Sequence, residues 1–224
     1  MDIRFLGHSA FELTDGETTI LIDPFLTGNP KAAITAQKAQ ANVILITHGH
    51  SDHVGDAVSI AKRTGAPVVA IVELAAELEA EGVTVRNPNL GGTETFDWGW
   101  VKLFPAWHTS TSAKGTASTP AGLLIHFAGT TIYHTGDTCL FSDLALVGRR
   151  TPVDVALVCC GGHFTMDPTD AVEAVSLIEP QVVIPCHYNT FPAIEIDVEA
   201  FQSEVDSRTS ARAVVLDPGE SHTV

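Results

Sequence analysis

The chain has 224 residues, 45% hydrophobic and 17% charged, a composition typical of a globular protein with a sizeable core. Its 27 acidic and 12 basic residues give a formal net charge of −15. This balance disfavours a nucleic-acid substrate, because binding to phosphodiester polymers depends on clustered lysine and arginine side chains. The sequence carries no recognisable signal peptide or membrane-spanning run, so a cytoplasmic location without membrane insertion is expected.

In chain order, short apolar runs rich in valine and isoleucine alternate with segments of helical periodicity. In the first half the pattern predicts strands at residues 3–6, 11–13, 19–22 and 42–47, a helix at 55–63, a strand at 67–71 and a helix at 74–81. In the second half it predicts strands at 93–96, 101–104, 123–127, 130–134, 153–158 and 182–185. A helix from Pro168 to about residue 178 is predicted because Asp167 is a suitable N-cap and proline suits the first helical position.

No linker, repeat or low-complexity segment interrupts this pattern, which predicts a single domain over residues 1–224. Each half begins with hairpins and continues with alternating helices and strands. That order favours two mixed sheets flanked by helices. Periodicity alone assigns the class, α/β or α+β, and the more specific prediction depends on the motif described next.

The most informative segment follows the predicted strand at 42–47 and contains His48, His50, Asp52 and His53. Side chains alternate along an extended segment, so His48 and His50 can point to one side. Asp52 and His53, at the turn into the next helix, can point to a second position nearby. Imidazole and carboxylate donors arranged in this way suit two divalent metal ions. A polar loop with incidental histidines is the competing interpretation, and the strand-loop-helix context argues against it.

The spacing His48-x-His50-x-Asp52-His53 resembles the HxHxDH signature of the metallo-β-lactamase superfamily. Further motifs of that superfamily occur in the expected order across nearly the whole chain, namely Asp23, His108, Asp137 and His187. Asp137 lies in a Thr-Gly-Asp-Thr stretch, and the other three follow predicted strands. The resemblance implies a four-layer αββα sandwich that contains a binuclear metal centre.

The resemblance also implies how the ligands are shared. One ion would be held by His48, His50 and His108, the other by Asp52, His53 and His187, and Asp137 would bridge both. Asp23 would hold the ligand loop by hydrogen bonds without touching metal. Local alternatives remain open, since His108 could be a loop histidine, Asp137 a turn carboxylate and His187 a hydrogen-bonded core histidine. Zn²⁺ is the favoured metal, and Mn²⁺, Fe²⁺ or Ni²⁺ would suit the same donors.

A water or hydroxide shared by two such ions has a lowered pKa and is nucleophilic near neutral pH. The ions would also polarise the oxygen under attack and stabilise the leaving oxygen. Asp52 would ligate an ion and orient or deprotonate the attacking water, which makes it a candidate catalytic residue. The chain is therefore expected to be a metal-dependent hydrolase.

Three further stretches, residues 6–11, 162–166 and 185–191, look like the small metal-dependent hydrolase branch of the superfamily. That branch is similar to the ascorbate-6-phosphate lactonases and, more remotely, to enzymes like N-acyl-phosphatidylethanolamine phospholipase D. The resemblance implies a small-molecule substrate, with a lactone, ester or phosphodiester as the bond cleaved. An anionic substrate is compatible with bound cations, and the resemblance is compatible with a homo-oligomer.

Outside the implied ligand set, His163 lies just before the helix capped by Asp167, where it could contact the substrate or protonate the leaving group. Its alternative is a loop histidine that bonds to backbone. His8 could reach the edge of the pocket or have a structural role. Lys114 could meet a substrate anion from the polar loop at 109–120, although a solvated surface loop is favoured.

Other functions remain as alternatives. A nuclease-type phosphodiesterase would need a basic exosite to bind nucleic acid, and the basic residues of this chain do not cluster. A di-iron redox protein of this fold usually carries glutamate where this chain has His50. A non-catalytic metal-binding scaffold would keep the ligands without turnover, and loss of activity on chelation would distinguish an enzyme from it.

Overall fold

A computed structural model describes residues 1–224. The first half forms six strands and three helices: β1 (Asp2–Gly7), β2 (Ala10–Thr14), β3 (Thr19–Ile22), β4 (Val43–Leu45), α1 (Ser51–Val54), α2 (Ala57–Thr64), β5 (Val68–Val69), α3 (Val72–Ala80) and β6 (Val85–Arg86). The second half continues with β7 (Thr93–Phe96), β8 (Gly99–Pro105), β9 (Ala121–Phe127), β10 (Thr130–His134), α4 (Ala145–Arg150), β11 (Val155–Cys159), α5 (Pro168–Ile178), β12 (Val182–Cys186), α6 (Val198–Arg208), β13 (Arg212–Ala213) and β14 (Ser221–Thr223).

The strands form two mixed sheets of seven strands each. The first sheet has the order β14-β1-β2-β3-β4-β5-β6, antiparallel from β14 to β3 and parallel from β3 to β6. The second sheet has the order β13-β12-β11-β10-β9-β8-β7, antiparallel from β7 to β10 and parallel from β10 to β13. Helices flank both sheets, with α3 beside β5 and β6 and α5 beside β11. The predicted fold class is confirmed.

The sheets face each other across one cluster of 61 buried residues. β11 is buried along its whole length, as expected for a parallel strand covered on both faces. At the interface, the ring of Phe11 in the first sheet meets the ring of His134 in the second at 5.8 Å, edge to face. Burial of apolar area between the two sheets therefore holds together the strand ends from which the candidate site is built.

Several predicted boundaries differ from the structure for local reasons. The helix predicted at 55–63 begins only at Ala57, because Gly55 has φ +43° and a Cβ there would lie 2.4 Å from the carbonyl oxygen of Pro24. The helix predicted at 74–81 begins two residues earlier, at Val72. The strand predicted at 42–47 is paired only over Val43–Leu45. Beyond it the chain turns away from the ladder toward the histidine segment.

The predicted start of α5 is confirmed, since the Asp167 side chain accepts a hydrogen bond from the Asp170 backbone N–H at 2.9 Å and Pro168 is the first helical residue. The elements α1, α4, α6, β6, β13 and β14 were not predicted. In α6 only Phe201 and Val205 are buried, so its apolar stripe is narrow. None of the helices combines the length and the apolar composition that crossing a bilayer requires.

Candidate metal centre

The predicted ligands lie together at one end of the sandwich. His48 and His50 follow β4, Asp52 and His53 lie in α1, His108 follows β8, Asp137 follows β10, and His187 follows β12. The carboxyl ends of parallel strands meet at the same edge of a sheet, which is where open α/β sheets usually bind ligands. The side chains of His48, His53, Asp137 and His187 are buried, whereas His50, Asp52 and His108 are partly open to solvent.

The turns that present these side chains require unusual backbone. Gly136, directly before Asp137, has φ +62°, and a Cβ there would lie 2.7 Å from the carbonyl oxygen of Ala121. His187 has φ +55°, an uncommon conformation for a residue other than glycine. Such conformations persist only where the surrounding structure enforces them, and they concentrate at functional sites.

The donor atoms of the cluster form two outer groups, which a third group of His48, His53 and Asp137 connects. His48, His50 and His108 form one group, and His48 Nε2 lies 3.0 Å from His50 Nδ1. Asp52, His53 and His187 belong to the other group, together with His8. In this second group Asp52 Oδ2 is 3.9 Å from both His53 Nε2 and His187 Nε2.

Asp137 lies between the two groups. Its Oδ2 atom is within 4 Å of the Nε2 atoms of four histidines: 3.1 Å from His187, 3.2 Å from His53, 3.7 Å from His108 and 3.9 Å from His48. Two donors bound at about 2 Å to one tetrahedral ion lie roughly 3.3 Å apart. The observed separations therefore fit donors that share ions, and the carboxylate of Asp137 is central to both groups.

Three buried polar atoms of the cluster have no hydrogen-bond partner: Asp137 Oδ1, His53 Nε2 and His187 Nδ1. Leaving a buried donor or acceptor unpaired is destabilising. A cation that accepts the lone pairs of Asp137 and His53 would remove this penalty for two of the three atoms. The donor set, rich in imidazole with carboxylates, is also one that suits Zn²⁺ and similar divalent ions.

Asp23 lies behind the cluster and touches the ligand loop. Its Oδ2 accepts hydrogen bonds from His53 Nδ1 at 2.7 Å and from the Thr47 hydroxyl at 2.6 Å, and its Oδ1 accepts from the Thr47 backbone N–H at 2.8 Å. A carboxylate on the second nitrogen of a ligating histidine fixes the ring and its tautomer. Asp23 therefore directs His53 Nε2 toward Asp137.

Within the cluster, neighbouring charges raise the pKa of one histidine and burial lowers that of another. Burial disfavours the charged form of His53, but the carboxylates of Asp137 and Asp23 outweigh it and hold the His53 pKa well above its usual value. Burial likewise opposes ionisation of Asp137, yet His53 and His187 keep the pKa of that carboxyl well below its usual range. Burial, followed by the charge of His53, holds the pKa of His48 well below normal. Asp137 and His48 are therefore already in the protonation states that metal ligation requires.

A cleft of about 290 Å³ opens onto these groups. Its lining consists of five of the predicted ligands and two further residues: His50, Asp52, His108, Asp137 and His187, with Thr109 and Phe164. Phe164 is 54% exposed and was not singled out from the sequence. His163 does not line the cleft. It is exposed, and its ring meets the Phe164 ring edge-on at 4.5 Å.

The polar loop at 109–120 begins in the cleft lining with Thr109 and then packs on the histidine segment. The Ser110 hydroxyl accepts a hydrogen bond from the Gly49 backbone N–H at 2.9 Å. Lys114 forms an ion pair with Glu81, which follows α3, and its side chain is 60% exposed. Lys114 thus has a partner away from the cleft, as expected for a surface loop.

His8, whose role the sequence left open, is buried in the cluster. Its Nε2 lies 3.1 Å from Asp52 Oδ2 and its Nδ1 lies 3.0 Å from the Thr190 hydroxyl oxygen. Burial lowers the pKa of His8 to about 4 against the opposing hydrogen bond with Asp52, so the ring is neutral at neutral pH. Only its position after a strand, in Gly7-His8-Ser9, hinted at this placement.

Comparison with known proteins agrees with this geometry. The family model of the beta-lactamase superfamily domain matches residues 2–187. A UPF0173 metal-dependent hydrolase of Thermus thermophilus is 48% identical over 221 residues, which cover 98% of this chain and 97% of the relative. Another UPF0173 metal-dependent hydrolase, from Thermococcus kodakarensis, is 44% identical over 220 residues, with 97% of both chains covered.

Among solved structures, Igni18, described as a novel metallo hydrolase from the hyperthermophilic archaeon Ignicoccus hospitalis, superposes with a TM-score of 0.90. It is 37% identical, and the match covers 99% of this chain and 97% of that one. The family match, the identity over nearly the full length of the relatives and the shared architecture agree with one another. The chain belongs to the metallo-β-lactamase superfamily and is one of its metal-dependent hydrolases.

Proposed function

We propose that this hydrolase uses two divalent ions to cleave a lactone, ester or phosphodiester bond in a small molecule. One observation carries the proposal, namely that the carboxylate of Asp137 lies between His48 and His108 of one donor group and His53 and His187 of the other. One ion alone would leave half of these closely spaced donors without a partner. A carboxylate with imidazoles on both sides supports a bridging role.

The proposed ligands follow the two groups. His48, His50 and His108 hold one ion, Asp52, His53 and His187 hold the other, and Asp137 contributes to both. Zn²⁺ is the preferred occupant because imidazole and carboxylate donors suit it, and Mn²⁺, Fe²⁺ or Ni²⁺ would be accepted where they are more available. Divalent ions bound there would act as Lewis acids and generate a nucleophile at neutral pH.

The residues of the chain supply the remaining steps. The Asp52 side chain is 33% exposed and lines the cleft, so its carboxylate is available to orient the attacking water and accept its proton. His163 is proposed to donate a proton to, or contact, the leaving group at the mouth of the cleft beside Phe164. Asp23 keeps His53 in place through its hydrogen bond to Nδ1.

The proposed substrate is small and compatible with negative charge. A cleft of about 290 Å³ accommodates a small molecule, and Phe164 is its one apolar lining residue. Bound cations would attract an anionic substrate locally. The overall charge of −15 disfavours a nucleic acid, which would need a basic surface.

The decisive experiment combines metal analysis with a substrate screen. The protein is purified without added metal, its ions are quantified by elemental analysis, and it is assayed against lactones, esters and phosphodiesters with and without chelator. We expect about two ions per chain, as a binuclear site requires, and one bond type cleaved in a chelator-sensitive manner. Absence of metal uptake, or turnover that a chelator leaves unchanged, would refute the proposal.

A further inference from the structure

His8 is the one histidine of the cluster that stands outside the proposed ligand sets, and its hydrogen bonds define its tautomer. A carboxylate only accepts hydrogen bonds, so the 3.1 Å contact with Asp52 Oδ2 requires the proton on His8 Nε2. His8 Nδ1 is then an acceptor, which requires the Thr190 hydroxyl at 3.0 Å to donate to it rather than to the Tyr188 carbonyl oxygen at 3.3 Å. Asp52 therefore selects the tautomer of His8 with the proton on Nε2, and the Thr190 hydroxyl is able to donate to the other nitrogen.

The backbone of His8 also contacts one of the proposed ligands, His187. Its carbonyl oxygen accepts a hydrogen bond from the backbone N–H of His187 at 2.7 Å. His8 has φ +61°, and three of the five other non-glycine residues with positive φ, Asp23, His187 and Asn189, lie at or beside this cluster. Backbone strain that gathers around one site indicates that the site, and not the local sequence, determines these conformations.

Packing fixes the ring in place. The ring centroid of His8 lies 4.2 Å from that of His187, and the rings of Phe25 and Phe191 meet it edge-on at 5.7 and 5.6 Å. The side chain is fully buried. With both nitrogens engaged and the ring enclosed, His8 has one orientation available, in which Nε2 points at Asp52.

We propose that His8 is a positioning residue, which orients the carboxylate of Asp52 toward the ion held by Asp52, His53 and His187. This inference rests on the proposed function, because it assigns His8 to one of the two proposed ions. Asp52 is the most exposed carboxylate of the cluster and has no other side chain within hydrogen-bonding distance. Groups that hydrogen-bond to a metal ligand typically change metal affinity or activity by about 10- to 100-fold when removed.

The test compares metal binding by the wild type with that of His8→Phe, which keeps the ring but removes both hydrogen bonds. Stepwise Zn²⁺ titration against a chromophoric chelator measures the two affinities separately. We expect the affinity for one ion to fall by about 10- to 100-fold and that for the ion of His48, His50 and His108 to stay unchanged. His8→Gln, whose amide N–H can reach Asp52, should restore part of the loss.

A second variant guards against misfolding of His8→Phe. Thr190→Val removes the hydroxyl that hydrogen-bonds to His8 Nδ1, and should weaken binding of the same ion to a smaller extent. Its matched control is Thr131→Val, since the Thr131 hydroxyl faces His126 Nδ1 at 3.3 Å in a threonine–histidine pair outside the cluster. The control should bind both ions as the wild type does.

A double mutant tests whether His8 acts on the metal ion through Asp52. If His8 acts through Asp52, adding His8→Phe to Asp52→Ala should cause little further loss of affinity, because the two changes remove one unit. Two ions bound with unchanged affinity by His8→Phe, or equal weakening of both ions by Thr190→Val, would overturn the role of His8 and leave the proposed function intact. A wild type that binds fewer than two ions would overturn both.

Discussion

The first sheet supplies four of the proposed ligands from one six-residue segment after β4, whereas the second sheet supplies His108, Asp137 and His187 from the ends of three different strands. The first four lie within six residues of one another, and hydrogen bonds with Asp23 and His8 of the same sheet hold His53 and Asp52. The relative positions of the other three depend on pairing between strands far apart in the chain. The first sheet thus supplies its half of the site from a single segment, and the second sheet supplies the other half through the pairing of three strands. Substitutions in the second sheet are the sharpest tests of this difference.

Asp137→Ala should have the largest effect. Its carboxylate stands between both donor groups, so we expect both ions to bind weakly and hydrolysis to fall by at least about 10³-fold, roughly 4 kcal/mol of transition-state stabilisation. Elemental analysis after dialysis and a chelator-sensitive assay measure the two effects. Asp143→Ala, which removes an exposed carboxylate of the second half, is the control. Full metal content in the Asp137 variant would show that Asp137 is not shared.

His108→Ala should have a smaller and more selective effect. It removes the only second-sheet member of its donor group, while His48 and His50 remain from the first sheet. His108 borders the cleft, so water can take its place as a ligand. We therefore expect weaker binding of one ion and a fall in kcat of about 10²-fold, roughly 3 kcal/mol. Stepwise metal titration reports which ion is lost. His126→Ala is the matched control, and simultaneous loss of both ions would contradict the division into two groups.

His163→Ala tests a residue of the second half that lies beside Phe164, which lines the cleft, and that is not among the proposed ligands. Metal content should be normal, and kcat should fall on the order of 10-fold, below the range typical of a buried general acid because the side chain is exposed. Steady-state kinetics on the substrate found in the screen measure this, with His222→Ala as the control. Unchanged kinetics would assign His163 a purely structural role in supporting Phe164.

The contrast between the sheets also explains how much the sequence could predict. His48, His50, Asp52 and His53 form a recognisable unit because all four are local. His108, Asp137 and His187 each stand alone in the sequence, and only the order of family motifs selected them. The contact between His8 and Thr190 joins residues 182 positions apart, and no local pattern predicts such a pairing.

The fold shows the same division between local and distant information. The start of α5 was predictable because Asp167 and Pro168 are local signals. The helix α6 has a comparable cap, the Asp197 side chain accepting from the Ala200 backbone N–H, but too few buried residues to show a helical period. The strand β14 pairs Ser221 with Arg4 across nearly the whole chain, and its three residues carry no apolar alternation. Elements stabilised by distant partners and little apolar area are therefore the ones that periodicity misses.

Lys114→Met should have the smallest effect, and it tests a second junction between the two halves. The loop between β8 and β9 reaches the first half through Gly49–Ser110, Glu77–Ser112 and the Lys114–Glu81 ion pair. Because Lys114 is 60% exposed, breaking its ion pair should change the free energy of unfolding by less than about 0.5 kcal/mol, since solvent screens such pairs. Denaturant unfolding measures the stability, and KM for anionic and neutral substrates should be unchanged. A selective rise in KM for anionic substrates would mean that Lys114 leaves Glu81 to meet the substrate, and would make the junction between the halves a mobile part of the active site.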